Sequence, residues 1–353
     1  MRMAKLLGSL LTMMVGQTLG ASAQDFYKGK VIEIIVPGPP GGGPSDQARI
    51  FSDYVTKHVA GSPRVIIRNM PGGGGVQALN YMAEIAKPDG LTFFWGPIQF
   101  TGALIKSPGY RYDPGSFDPV GTSSLSYVVL ANTKAGKGVR SFDDFMKLDE
   151  FVFGGFGRGR AIDFLARTSF NLLGLKHKYV LGYHGQPDIA LALQRQEVDV
   201  SISGHTGYVT LYEKQLVEAG VVTPLYYHSP IDSSSGEPMR VREGTYPKSA
   251  PNFIDALKNL GKNISGAEWD AYKWVSTYET WPAWFFAPKG TTPAALSQMR
   301  AGFNNAIKDP ALIAAWKYHF NEEPTFIEWE AARKLQSGFQ TLSTDAIELI
   351  KNM

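Results

Sequence analysis

An α/β fold in two successive domains is predicted by three observations. Short β-branched or aromatic strands alternate with amphipathic helices at a spacing that implies parallel pairing. The strands end in glycine-rich turns, at residues 41–43, 72–75 and 154–159. The same strand–turn–helix order then restarts near Phe151. At 353 residues and 44% apolar composition, the chain holds enough material for two cores.

Each element follows from local residues. Val31-Ile32-Glu33-Ile34-Ile35-Val36 is a β-branched run and reads as a strand. Pro37 to Pro44 break it, and Ser45 or Asp46 then caps a helix that passes through Tyr54, Val55, His58 and Val59. Arg64-Val65-Ile66-Ile67-Arg68 is the second strand, and four glycines from Gly72 turn it into a helix over about 76–86. Lys87-Pro88-Asp89-Gly90 is a turn before the strand 91–95, which stops at Gly96-Pro97. A further apolar run covers 127–131, and Ser141 caps a short helix. In the second set, Phe151-Val152-Phe153 is a strand. A helix over 160–173 follows with Ile162, Leu165, Ala166, Ser169 and Leu173 on one face. A strand over 178–181 leads to a turn, then to a helix that opens at Pro187, and 198–202 alternates as the next strand. Residues 232–250 read as a polar loop, 284–288 as a strand, and the remainder as helical. One of its stripes is Leu296, Met299, Phe303 and Ile307; another runs from Trp329 through Leu349.

The N-terminus reads as a cleavable secretory signal over 1–23. Arg2 and Lys5 precede the uncharged apolar run 6–20, and Ala21-Ser22-Ala23 supplies a small-residue cleavage site. The remaining chain is expected to be a soluble, exported, periplasmic protein. Its net charge of +3, before the two signal cations are removed, is too small for a nucleic-acid partner. The absence of Cys excludes disulfides, a thiolate nucleophile and Cys-ligated metal.

Glycine turns between a strand end and a helix start can point backbone N–H groups at an anion, and the helix terminus adds partial positive charge. In a parallel sheet such loops share the carboxyl edge. No Walker A sequence, strict G-x-G-x-x-G or G-x-S-x-G elbow is present, and the six histidines include no H-x-x-x-H pair. The expectation is therefore a binding protein with no catalytic residue, no cofactor and no metal. Arg158 and Arg160 flank the third turn, where they either pair with a ligand carboxylate or point to solvent. His184 and His205 lie at strand-end turns and either meet the ligand or serve as hydrogen-bonded loop residues. Phe94, Trp95 and Phe156 either favour an aromatic ligand or are core. A secreted hydrolase using Ser45, Ser123 or Ser203 is the competing reading.

A set of short motifs, in order from Val31 to Pro293, resembles the solute receptors of tripartite tricarboxylate transporters, the Bordetella-uptake-gene type. They are Val36-Pro37-x-Pro39-Pro40-Gly41-Gly42 with Asp46, Asn69-Met70-Pro71-Gly72-Gly73-Gly74-Gly75, Pro88-Asp89-Gly90, Phe117-Asp118-Pro119-Val120, Tyr183-His184-Gly185 with Asp199, and Ala287-Pro288 with Pro293. The resemblance implies a type II periplasmic binding-protein fold, a two-domain Venus flytrap with a mainly parallel sheet in each domain. It implies that 24–125 with 284–353 form one domain and 126–283 the other. It also implies a receptor that holds a small organic carboxylate, such as an aliphatic di- or tricarboxylate, and hands it to membrane permease subunits. The aromatics near the turns make an aromatic carboxylate the alternative ligand, a receptor feeding a sensor rather than a permease is a further reading, and the chain is expected to be a monomer. The residues expected at the ligand are Pro40, Gly41, Gly42, Ser45 and Asp46 from one domain, and Phe156, Gly157, Arg158, Gly159 and Arg160 from the other, with His184 and His205 in second rank. The third turn departs from the family's G-x-G-S-x-x-H: Arg160 stands at its Ser and Asp163 at its His.

Overall fold

The computed structural model describes residues 26–353 except 42, 158–159, 232–236, 240, 242–244, 263, 282 and 322–323. The expected signal, Gly42, Arg158, Gly159 and part of the polar loop thus lie outside the described residues. The chain begins with β1 (Val31–Val36), α1 (Gly43–His58), β2 (Arg64–Asn69), α2 (Val76–Glu84), β3 (Thr92–Gly96), α3 (Phe100–Leu104) and β4 (Asp118–Ser124). After residues 125–126 come β5 (Tyr127–Asn132), α4 (Phe142–Phe145), β6 (Glu150–Gly154), α5 (Ala161–Leu173), β7 (Lys176–Val180), α6 (Gln186–Gln194) and β8 (Val200–Gly204). A short helix α7 (His205–Gly207) widens into a π-helix (Tyr208–Val217) before β9 (Val222–His228). The chain ends with α8 (Phe253–Asn259), α9 (Ala267–Glu279), β10 (Ala283–Ala287), α10 (Pro293–Ala306), α11 (Pro310–Phe320), β11 (Thr325–Glu328), α12 (Trp329–Ser337) and α13 (Thr344–Asn352).

Two sheets result. One has the strand order β11-β4-β10-β3-β1-β2, the other β7-β6-β8-β5-β9. β1 pairs in parallel with β2 and β3, and β6 with β7 and β8, as the alternating pattern requires. The sheets are mixed rather than mainly parallel. β10 and β11 run antiparallel in the first sheet, and β5 runs antiparallel to both its neighbours in the second. β5 and β10 directly follow the two passages of the chain from one sheet to the other, each sheet with its helices being termed a lobe. The two passages are joined by a hydrogen bond from Leu125 N–H to the Thr280 carbonyl at 3.1 Å.

Aromatic packing fixes the first lobe. Phe51 stacks on Trp95 with ring centroids 4.5 Å apart, and Phe286 lies between Phe94 at 4.6 Å and Phe117 at 4.2 Å. Phe94 and Trp95 are wholly buried, so they are core and line no binding surface. Phe253 and Tyr272 close the second lobe with centroids 4.8 Å apart.

Several boundaries differ from the sequence reading. α1 starts at Gly43, ahead of Ser45, because Pro44 fits a first helical turn. The stripe from Trp329 to Leu349 is two helices, α12 and α13, separated near Gly338. α13 packs on α9, and the Arg167 guanidinium donates to the Met353 carbonyl, so the end of the chain leans on α5.

Candidate functional site

The carboxyl ends of β1, β2 and β3 bring three loops of the first lobe to one edge. Asn69, the last residue of β2, donates from Nδ2 to the Gly38 carbonyl at 2.8 Å and to Ser45 Oγ at 3.1 Å. Ser45 is thus buried as a strut of the first loop. Asp46 is half-exposed and pairs with Arg49 at 3.3 Å along α1. Pro40 and Gly41 are exposed, and Gly41 has φ +75 with open space where a side chain would stand. Gly72, Gly73, Gly74 and Gly75 all have positive φ, a path that only consecutive glycines take readily.

Across from this edge, the turn after β6 is organised by the chain's own carboxylate. Asp163 Oδ2 accepts from the N–H of Phe156 at 2.7 Å, the N–H of Gly157 at 2.9 Å and the hydroxyl of Tyr179 at 2.7 Å. Gly155 makes this approach possible, because a Cβ there would lie 2.7 Å from Asp163 Oδ2. Two of the amides expected to face a ligand are therefore already occupied. Burial pushes the Asp163 carboxyl above its usual range, against the pull of the three donors and of Arg160.

Among the described residues of this turn, Arg160 is the cation. Its side chain crosses to the first lobe, where a Cβ on Gly74 would lie 2.5 Å from Nη1 and 3.1 Å from Cδ. Its guanidinium stands 5.8 Å above the Phe156 ring, and it makes no ion pair with any described residue. Glu279, buried beneath, accepts at Oε1 from Thr101 N–H at 2.6 Å and Thr101 Oγ at 2.5 Å, at the start of α3. Burial raises its carboxyl to about 7, partly offset by these donors and by Arg160. A cavity of about 410 Å³ opens beside Arg160, walled by Gly157, Phe164 and Tyr179 of the second lobe and by Ile105 and Tyr110 of the first.

The two histidines stay outside this group. His184 is a surface residue near Asp188, 3.5 Å away. His205 is wholly buried where the lobes join, with Nδ1 3.2 Å from the Tyr246 hydroxyl. Burial lowers its pKa to about 4, and the carbonyls of Phe320 and Asn321 oppose that shift. Ser45, Ser123 and Ser203 are buried, and none of them hydrogen-bonds a histidine among the described residues. No cluster of metal-ligating side chains occurs among those residues, and none of their helices is long and apolar enough to cross a membrane.

The structure thus brings together Gly157 and Arg160 from the second lobe with the Gly74 turn of the first. The sequence reading did not place Tyr110, Glu279 or Tyr179 here, because their proximity depends on the packing of α3, α9 and β7. Asp163 was visible only as a substitution in the third turn.

Solved structures share this architecture. A chain described as a periplasmic transporter superposes with a TM-score of 0.65 at 20% identity, over 92% of this chain and 97% of that one. The periplasmic binding protein BugD gives 0.64 at 18%, over 92% and 98%, and MatC from Rhodopseudomonas palustris, with bound malate, gives 0.62 at 17%, over 90% and 99%. The fold is that of a periplasmic binding protein. The resemblance to the tricarboxylate-type and Bordetella-uptake-gene receptors holds, since a TctC solute-binding protein from Polaromonas is among these neighbours. A UPF0065 protein of Bordetella pertussis is 24% identical over 329 residues, 89% of this chain and 87% of that protein. A second UPF0065 protein, from Agrobacterium vitis, is 26% identical over 209 residues, 58% of this chain and 59% of its own length. No protein-family model matches the chain.

Proposed function

We propose that this protein is a periplasmic receptor that captures a small organic carboxylate between its lobes and delivers it to the membrane permease of a tripartite tricarboxylate-type system. One observation carries the reading: Arg160 spans from the second lobe to the Gly74 turn of the first with no ion pair of its own among the described residues. A guanidinium in that position offers a bidentate seat to a carboxylate. Malate and adipate in neighbouring structures of the same fold support the ligand class. Residues 24–125 with 284–353, and 126–283, would act as the two closing lobes. Pro40, Gly41 and Gly42 would meet the ligand from one side, and Gly157, Arg158, Gly159 and Arg160 from the other. Ser45 and Asp163 would hold the two turns in shape. Closure about the passages at Leu125 and Thr280 would then shift the open–closed balance when ligand binds.

The test is a thermal-shift screen of aliphatic and aromatic carboxylates, followed by calorimetry. A ligand at a hundredfold excess over Kd adds about 2.7 kcal/mol of stability. Arg160→Ala should weaken binding roughly tenfold or more. An unchanged Kd removes Arg160 from the site, and no response to any carboxylate ends the proposal.

A further inference from the structure

We propose that the cavity beside Arg160 seats the apolar ring of an aryl monocarboxylate whose carboxylate group lies on the Arg160 guanidinium. This rests on the receptor reading above and narrows its ligand class. The cavity, at about 410 Å³, falls in the size range of small-molecule sites. Its walls come from both lobes, so a ligand inside it touches both at once. Those walls are mostly ring and aliphatic surface: Ile105 and Tyr110 on one side, Phe164 and Tyr179 on the other, and Ile350 at the end of the chain. The Tyr179 hydroxyl is tied to Asp163, which holds that ring in place, and burial raises the Tyr110 hydroxyl to about 12, so it meets the ligand uncharged.

The wall carries three cations, Arg160, Arg167 and Lys351, and one side-chain carboxylate, Asp163, whose Oδ2 is already taken by two amides and the Tyr179 hydroxyl. Arg167 donates to the Met353 carbonyl and lies 4.6 Å from the Tyr179 ring, and Lys351 pairs with Glu348 at 2.7 Å. Arg160 makes no ion pair among the described residues, whereas Arg167 is held by that carbonyl and ring and Lys351 by its carboxylate. A tricarboxylate would place two further carboxylates against apolar walls without partners, a costly burial. A single carboxylate on a flat apolar body leaves no charge unpaired, and its ring can pack edge-to-face or offset on the tyrosines.

Calorimetry with benzoate, phenylacetate, malate and citrate decides it. The aryl acids are expected to bind roughly tenfold or more tighter than malate or citrate. Ser107→Trp, which fills the cavity from a loop position, should weaken benzoate by roughly tenfold while leaving malate within about threefold. Retained malate binding shows that the variant folds. If it binds neither acid, Ile105→Phe, a milder filling of the same wall, is read by the same ratio. Malate or citrate binding as tightly as benzoate, or a variant that weakens both equally, overturns the inference and leaves the receptor reading standing. Failure of all four acids overturns this inference, and the wider carboxylate screen then decides the receptor reading.

Discussion

Replacing Glu279 with Gln tests the electrostatics under the cleft directly. Glu279 is only 5% exposed, and both bonds from Thr101 fall on one of its oxygens. Gln keeps an acceptor for Thr101 and removes the charge. The folded-state value is about 7 against an ordinary 4.5. Folding therefore tightens the proton on this group. Its contribution to stability is complete below pH 4.5 and is lost as pH rises through 7. At about 1.4 kcal/mol per pH unit, the group costs about 2.5 kcal/mol of stability between pH 5 and pH 8. Glu279→Gln should stabilise the protein by that order at pH 8 and very little near pH 4.5. Urea unfolding of both proteins at several pH values reads the difference. The buried histidines titrate below pH 6.5 in both proteins, so their contribution cancels. A variant that unfolds at the same urea concentration as the wild type at pH 8, or is less stable there, refutes the reasoning.

Other outcomes follow from the same geometry. Asp163→Ala strips two partly buried amides and a tyrosine hydroxyl of their acceptor and should cost on the order of 3 kcal/mol by urea unfolding. Gly74→Ala combines a φ of +67 with a clash on Arg160, and should weaken carboxylate binding, while the Gly220→Ala control, with φ +69 and open space around it, should leave binding unchanged. Burial lowers His205 to about 4, so its contribution to stability is present above pH 6.5 and fades as pH falls towards 4; His205→Asn should recover on the order of 2 kcal/mol at pH 4.5 by unfolding. A ligand carboxylate on Arg160 takes away part of the field that lowers Glu279, so calorimetry in buffers of different ionisation enthalpy near pH 7 should show proton uptake on binding, absent in Glu279→Gln.

The strand–turn–helix core was legible because its signals are local. β-branched runs at 31–36 and 64–68, followed by clustered glycines, leave few backbone alternatives. β9 was passed over because Val222–His228 contains Pro224 and lies beside a helix, and β11 because four residues carry little periodicity. β7 falls at Lys176–Val180, two residues before its sequence position, because its edge exposure allows Lys and His at alternate places. For the site, the glycine turns and Arg160 could be read in one dimension. The bonds from Asp163 to Tyr179 and from Glu279 to Thr101 could not, since they join segments distant in the chain.

On the receptor reading, the carboxylate that ties down the third glycine turn bears on how the empty protein behaves. A loop that already contains its own anion keeps its shape between rounds of capture. Solute arriving there spends little of its binding free energy on ordering backbone. Discharging it likewise leaves no collapsed loop to rebuild before the next encounter. On that reading, such a carrier would suit capture at low supply, where an idle molecule has to be ready at once.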